Sequence, residues 1–417
     1  MLQAILNSFK SAELRKKLLF TFAILALYRL GTYVPVPGVN TDAIQGQLNS
    51  RGSANVLNFL NLFSGGALTR FSVFALGIMP YITASIVIQL MTVVIPRLEQ
   101  LQKEGEAGYA KITQYTRYST VGLAILQSLA YVLYFRQAGV LPGMSWGRLY
   151  LIVVTLVAGT TLVMWLGENI TQRGIGNGIS LIIFASIVAS IPTGVRRWWE
   201  LDPVPKITIG VVALAVVVGV VFVNEGQRRI PIQYAKRVVG RRMTQGGTTY
   251  MPIRVNMAGV IPVIFAASIV ILPPLLAELI GGSFFRGLSD KLNPNSWFYI
   301  AFEAALIILF TYFYTAVQFN PVDQADNLKK YGGFIPGVRP GRPTAVYLDR
   351  VVTRLTLPGA VYLAGIASLP TIIFKYMPSV TFSFGGTSLL IVVGVAIDTM
   401  RQLEAQLLQR QYEGFLR

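Results

Sequence analysis

The stretch ITIGVVALAVVVGVVFVN, from Ile207 to Asn224, contains no charged residue and is bounded by Lys206 and Glu225. A helix advances about 1.5 Å per residue, so a run of this length nearly matches a hydrocarbon core of ~30 Å. Working outward, nine more runs of the same kind lie at Leu18 to Val34, Ser72 to Ile95, Ser119 to Phe135, Leu149 to Gly167, Ile179 to Val195, Met257 to Ile280, Trp297 to Phe319, Leu355 to Phe374 and Phe384 to Asp398. Ten spans make this a polytopic all-α membrane protein. The composition agrees: 53% of the 417 residues are hydrophobic and 13% charged, with a mean hydropathy of +0.56, which is far from soluble-domain usage. Arg15, Lys16 and Lys17 precede the first run as they would in a secretory signal. No small-residue cleavage pattern follows, so the run reads as a mature span.

The chain has neither Cys nor His. That excludes disulfides, Cys/His zinc sites, haem attachment and His-based nucleophile activation, and no metal or cofactor is expected. Basic residues outnumber acidic ones 36 to 18, and they cluster between the spans. With a cytoplasmic N-terminus, 25 of them fall on the cytoplasmic side and 10 outside, with Arg29 inside the first span. The asymmetry predicts that both ends are cytoplasmic.

One apolar stretch is too short to cross. Asn55 to Phe63 puts Val56, Phe59, Leu60 and Phe63 on one helical face and stops at Ser64-Gly65-Gly66. It reads equally as a re-entrant half-helix or as a helix lying on the outer surface.

Two basic segments project from the cytoplasmic side. Glu225 to Arg254 carries Arg228-Arg229, Lys236-Arg237 and Arg241-Arg242, with a turn at Gln245-Gly246-Gly247 between β-prone stretches, which predicts a hairpin-like loop. Asn320 to Arg354 sets Lys329, Lys330, Arg339 and Arg342 among Gly332, Gly333, Pro336, Gly337, Pro340, Gly341 and Pro343. That density of Gly and Pro predicts an irregular tip. Retention of topology accounts for both segments; so does docking onto RNA phosphates or onto a partner's carboxylates.

Ile78 and Ile82 lie four apart, as do Ile179 and Ile183, so each pair shares a helical face. Packing or lipid contact explains such pairs as readily as a pore does. Gly174-x-Gly176-x-Gly178 follows no strand, and no Gly-Lys-Ser/Thr occurs, so it reads as a tight turn and no ATPase is expected. Met79-Pro80, Pro262 and Pro273-Pro274 read as tolerated kinks, and Arg29 as a side chain reaching for the outer interface. Ten spans with a re-entrant segment also suit a secondary transporter, although the interior acids are few: Glu303 and, near span ends, Glu168, Glu278 and Asp398. An intramembrane aspartyl protease needs two facing Asp residues and is set aside, because only Asp398 lies at a span.

Several segments together resemble the SecY family of protein-translocation channels. They are Tyr28-Arg29-Leu30-Gly31 leading to Val34-Pro35-Val36-Pro37-Gly38, Phe63-Ser64-Gly65-Gly66-Ala67-Leu68 followed by Ala75-Leu76-Gly77-Ile78-Met79-Pro80, and Gly167-Glu168-Asn169 through Asn177-Gly178-Ile179-Ser180. Val255-Asn256-Met257-Ala258-Gly259, Asn327-Leu328-Lys329-Lys330 through Pro336-Gly337-Val338-Arg339, and Gly385-Gly386-Thr387-Ser388 complete the set, in order along the whole chain.

The resemblance implies a conduit for unfolded polypeptide, built as two pseudo-symmetric five-span halves (1–195 and 196–417) in the cell's inner membrane. It implies a pore ring of Ile78, Ile82, Ile179, Ile183, Ile264 and Ile391, because an aliphatic neck binds no side chain and dewets. It implies a plug over Asn58, Phe59, Leu60, Asn61, Leu62, Phe63, Ser64, Gly65, Gly66 and Ala67, and a lateral gate between the second and seventh spans with Gln89 and Asn256 as its polar residues. Arg241, Arg242, Lys329, Lys330, Arg339 and Arg342 would receive the SecA motor or the ribosome with its RNA, Arg339 being the loop-tip arginine on which motor-driven transport depends. SecE and SecG would complete the channel, unfolded secretory and membrane proteins would be its substrates, and the bilayer would take up their hydrophobic segments.

Overall fold

The computed structural model describes residues 11–39, 61–137, 139, 141, 145–234, 237–239, 242–244, 248–280, 287, 291–292, 296–376 and 386–415. Its helices are α1 Ala12–Gly31, α2 Met79–Val94, α3 Pro96–Lys103, α4 Glu106–Gln137, α5 Trp146–Arg173, α6 Gly178–Val188, α7 Ile191–Trp199, α8 Pro203–Glu225, α9 Ile261–Ile280, α10 Trp297–Gln318, α11 Pro321–Lys330, α12 Arg342–Tyr376 and α13 Gly386–Phe415. Each of the ten predicted runs coincides with a helix, the fifth with α6 and α7 together. Helices α4, α5, α8, α10 and α12, and α6 joined with α7, are long and apolar enough to cross a membrane individually. Of the other four, α2 has 16 residues, α1 begins with Glu13, Arg15, Lys16 and Lys17, the second half of α13 is polar, and α9 has Glu278 as the one charged residue among its 20.

Local chemistry sets the helix ends. Asn177 caps α6, its side chain accepting from the N–H groups of Ile179 and Ser180, and Ser296 and Asn320 cap α10 and α11 in the same way. Pro203 sits in the first turn of α8, where a missing N–H costs nothing, and Gly226 follows the last residue. The same logic corrects the kinks read from sequence. Pro80 lies in the first turn of α2 and Pro262 in the first turn of α9, so both start helices. The second span therefore begins at Met79, and residues 64–78 form a chain of turns. At Ile95 the backbone turns extended, and α3 leaves α2 at 99° as an exposed polar helix.

The two parts of the chain meet along two seams. In one, α2 and α4 pack on α9; in the other, α6 packs on α13. Between them runs a continuous apolar core drawn from α1, α2, α4, α5, α6, α8, α9, α10, α12 and α13. The face of α8 that this core does not cover is bare: Val211, Leu214 and Phe222 are 62%, 67% and 79% exposed. A surface so apolar is solvated by lipid. Arg117 on α4 grips Glu168 on α5 through two nitrogens, at 2.9 and 2.7 Å. The turn after α5 is as tight as its glycines suggested: a Cβ on Gly178 would fall 1.9 Å from the carbonyl oxygen of Gly167.

A second, smaller core stands at one end of the bundle. Strands β1 Gln227–Tyr234 and β4 Thr248–Arg254 pair antiparallel from Gln227↔Arg254 to Gln233↔Thr248, and β2 Arg237–Val239 pairs with β3 Arg242–Thr244 beyond them. The predicted hairpin is present. The segment from 320 to 354, however, is more ordered than its Gly and Pro content suggested. It contains α11, strand β5 Gly333–Phe334 and the start of α12, with β5 joining the other edge of β1 to give a sheet of order β4-β1-β5. Ile230, Ile232 and Ile253 of the sheet bury their side chains with Leu328, Ile335, Leu348, Val351 and Val352. Proline and glycine restrict only the stretch between β5 and α12, and the apolar positions on either side fold it back.

Candidate functional site

Five of the six candidate ring isoleucines are buried: Ile78 0%, Ile82 4%, Ile183 1%, Ile264 4% and Ile391 0% exposed. Ile179 is half-buried and packs against the same core, so all six belong to the one apolar core to which α2, α6, α9 and α13 contribute. Ile78 caps α2 and Ile82 lies one turn along it, because the helix starts at Met79.

At the sheet end of the bundle lies a cavity of about 410 Å³, lined by Asn177, Ser180, Asn224, Asn256, Ile261, Val395, Asp398 and Arg401 among others. Ile183 follows Ser180, Ile264 follows Ile261, and Ile391 precedes Val395 by three or four residues each. The aliphatic cluster thus sits one helical turn beyond a polar vestibule. Asparagine amides, hydroxyls and the charged Asp398 and Arg401 line the vestibule, with Ile261 and Val395 among its aliphatic walls.

On the far side sit the turns of residues 61–78. Of the candidate plug, Asn58, Phe59 and Leu60 lie outside the described residues; Asn61, Leu62 and Phe63 end a helix, and Ser64 to Ala67 turn back. Phe63, Ala67 and Leu68 are buried. The Asn61 side chain accepts from the N–H of Thr69, 3.0 Å, and the Gly66 N–H donates to the Asn61 carbonyl, 2.9 Å. The motif from Val34 to Gly38 acquires a role here, because the N–H groups of Val36 and Val73 donate to the carbonyls of Phe71 and Val34. That pairing fastens the end of α1 to the turn segment.

Sequence reasoning missed the polar partners of this seat. Arg29 is half-buried near the end of α1; its Nη1 donates to the Gly65 carbonyl at 2.6 Å and its Nη2 to the exposed Tyr33 Oη at 3.2 Å. Tyr28, fully buried, shares a 2.7 Å hydrogen bond with Ser186 Oγ. Ser186, one of two serines in the otherwise apolar α6, was the signal available.

Gln89 and Asn256 are not brought together. Asn256 is 5% exposed and donates through Nδ2 to Asn224 Oδ1, 3.0 Å, and to the Gly259 carbonyl, 3.1 Å. Its partner is therefore α8, across the vestibule mouth. Arg401 holds that corner, bonding the Asn224 carbonyl at 2.7 Å and Glu225 at 3.0 Å. Gln89 is half-buried on α2, and its Oε1 has no hydrogen-bond partner among the described residues.

The basic groups stand on the sheet lobe. Lys329 and Lys330 are exposed in the last turn of α11, Arg339 is exposed in the turn between β5 and α12, and Arg342 is the exposed first residue of α12. Thr344 Oγ1 donates to the Arg339 carbonyl at 2.8 Å, which fixes the backbone that presents it. Arg242 opens β3, and Arg241 lies outside the described residues.

Comparison with known proteins gives this geometry a family. The SecY family model matches residues 72–400. The protein translocase subunit SecY of Mycobacterium tuberculosis is 50% identical over 441 residues, and that of Streptomyces galbus 49% over 444, each covering 100% of both chains. Two solved structures share the fold at lower identity. One is a SecY channel whose plug domain is described as stabilising the closed state and maintaining a membrane seal (TM-score 0.62, 19% identity, 93% of this chain and 91% of that one). The other is Sec61 in a canine ribosome-channel complex from the endoplasmic reticulum (TM-score 0.60, 18% identity, 93% and 91%). Matched from end to end at about half identity, and wrapped around an aliphatic cluster floored beneath a polar vestibule, this chain belongs to the SecY family.

Proposed function

We infer that the chain is the channel subunit of a protein translocase, a passive conduit through which unfolded secretory polypeptides cross the inner membrane and from which hydrophobic segments leave sideways into lipid. One observation carries this: six isoleucines at α2, α6, α9 and α13 belong to one buried apolar core, and three of them lie a helical turn along their helices from residues that line a polar cavity. A neck of that kind offers an arriving chain no hydrogen-bond partner and resists wetting when empty. The isoleucines form the pore ring, residues 58–67 the plug, and the seam of α2 against α9 the lateral gate. The halves before and after residue 195 hinge at α7, opposite that seam. The basic lobe faces the cytoplasm, with both chain ends.

Energy comes from outside the subunit. Arg339, Arg342, Lys329 and Lys330 present a basic surface on α11 and the turn into α12, beside the sheet, complementary to carboxylates of the SecA motor and to the phosphates of ribosomal RNA. Ribosome-bound relatives with this fold support the second partner. SecE and SecG would complete the channel.

The transporter reading now rests on Glu303, the sole buried acidic side chain among the described residues. Vesicles containing the chain with SecE and SecG, supplied with SecA, ATP and a secretory precursor, discriminate the two. Glu303→Gln is expected to leave protease-protected precursor within about twofold of the unaltered channel, since Gln keeps the shape of a buried side chain that lies outside the proposed ring, plug and docking surface. Ion-gradient-driven solute uptake that vanishes in Glu303→Gln, with no precursor transport by either form, would replace the channel reading.

A further inference from the structure

We propose that Tyr28, Arg29 and Ser186 form a latch that holds the plug in the closed channel. The inference rests on the reading of residues 58–67 as that plug and assigns its regulation to three side chains on α1 and α6.

The plug's apolar contacts are non-directional. Phe63 and Ala67 are buried in the common core. The polar contacts single out one position. Arg29 Nη1 meets the Gly65 carbonyl at 2.6 Å, a charge-assisted bond that is both short and directional. Tyr28 Oη lies 2.7 Å from Ser186 Oγ and 3.4 Å from the Ser64 carbonyl, so consecutive plug carbonyls each face one side chain of α1. A phenol has one proton. When Ser186 donates to Tyr28, the phenol proton is free for Ser64; when Ser186 donates back to the Ile182 carbonyl, 2.9 Å away, the phenol proton goes to Ser186. Tyr28 thereby joins the plug to α6 in one arrangement and releases it in the other.

The seat is also closely fitted. Gly65 has φ +66, and a Cβ there would lie 3.2 Å from Arg29 Nη1 and 3.3 Å from Ser186 Cα. Only a residue without a side chain brings its carbonyl under the guanidinium at this backbone angle. Arg29 is in turn aimed by Tyr33, whose ring lies 5.0 Å from its guanidinium carbon and whose hydroxyl accepts from Nη2. Thr32 and Tyr33 on its own side offer longer acceptors, at 3.4 and 3.2 Å, so the shortest bond of Arg29 is made to the segment that must move. Displacing the plug strips Arg29 of that partner, which biases the resting channel toward closure without any contribution from the pore isoleucines.

The test is the resting conductance, without substrate, of the full chain with its small subunits in planar bilayers. Tyr28→Phe keeps the ring and removes the hydroxyl; Arg29→Gln removes the charge; Arg29→Lys keeps a cationic donor. Deletion of residues 58–66 reports on the plug itself, and Val211→Ala on the bare face of α8 sets the background. The latch predicts that Arg29→Gln raises resting open probability about tenfold, the factor expected for one lost charge-assisted hydrogen bond. Tyr28→Phe is expected to raise it by a smaller factor, with Arg29→Lys largely restoring the seal and precursor transport preserved throughout. A leaking deletion beside tight Tyr28→Phe and Arg29→Gln channels would overturn the latch and leave the plug standing. A tight deletion would overturn the plug reading and the latch with it, and equal leak from Arg29→Lys and Arg29→Gln would show that the cationic donor plays no part.

Discussion

Arg339→Glu is expected to lower SecA-driven precursor transport to the background of an ATP-free reaction, with the protein still inserted and folded. Arg339 is exposed in a turn whose flanking glycines, Gly337 and Gly341, have φ of +82 and +96. The turn is anchored at both ends: β5 pairs with β1, and α12 begins at Arg342 on the buried residues of the second core. A guanidinium held on so rigid a mount loses little freedom when a partner carboxylate meets it. Reversing the charge removes the attraction and adds repulsion. Losing one partner of a desolvated charge pair costs about 2–5 kcal/mol, a tenfold or greater fall in occupancy. Retained ATP-dependent transport at the unaltered rate would remove Arg339 from the docking surface, and a matching loss of thermal stability would make its role structural.

Replacing Ile82, Ile183 and Ile391 together by Ser is expected to open the empty channel to ions, while replacing them by Leu leaves it tight. All three are nearly inaccessible, and α2, α6 and α13 contribute one each. Burying an aliphatic side chain of this size is worth about 1.5–3 kcal/mol, so three hydroxyls in their place shift the neck strongly toward a wetted state. Resting conductance should rise at least about tenfold. A triple Ser channel as tight as the original would mean that the seal lies elsewhere, in the plug or in the seams.

The ten spans were legible because their signal is simple: a run of apolar residues near the bilayer's thickness. Boundaries were less so. Ser72 to Ile78 are as apolar as the helix that follows, yet Pro80 starts that helix, and the preceding residues are held as turns by hydrogen bonds to Val34 and Val36, contacts 35 residues or more away in sequence. Strand β5 escaped for the opposite reason, since two residues between glycine and proline carry no periodicity and pair only because β1 offers a free edge. Within the site, the isoleucines were nominated by family resemblance and never by spacing alone, because packing produces the same pattern. Arg29 was visible as an unusual charge, but its partner is a backbone carbonyl, which no side-chain pattern reports. Gln89 and Asn256 were named by resemblance as polar residues of one gate, but the amide of Asn256, which precedes α9, bonds Asn224 on α8.

The claim on which the rest depends is that polypeptide threads the isoleucine cluster, and the cysteine-free chain makes it directly measurable. A single Ile183→Cys channel, reconstituted with SecA and ATP, is given a secretory precursor bearing one Cys and jammed partway through, and the disulfide adduct is scored against a control at Val211→Cys on the exposed face of α8. Substrate threading the ring predicts adduct at position 183 and not at 211, and only when ATP is present. Demonstrable transport without adduct at 183 would contradict the account.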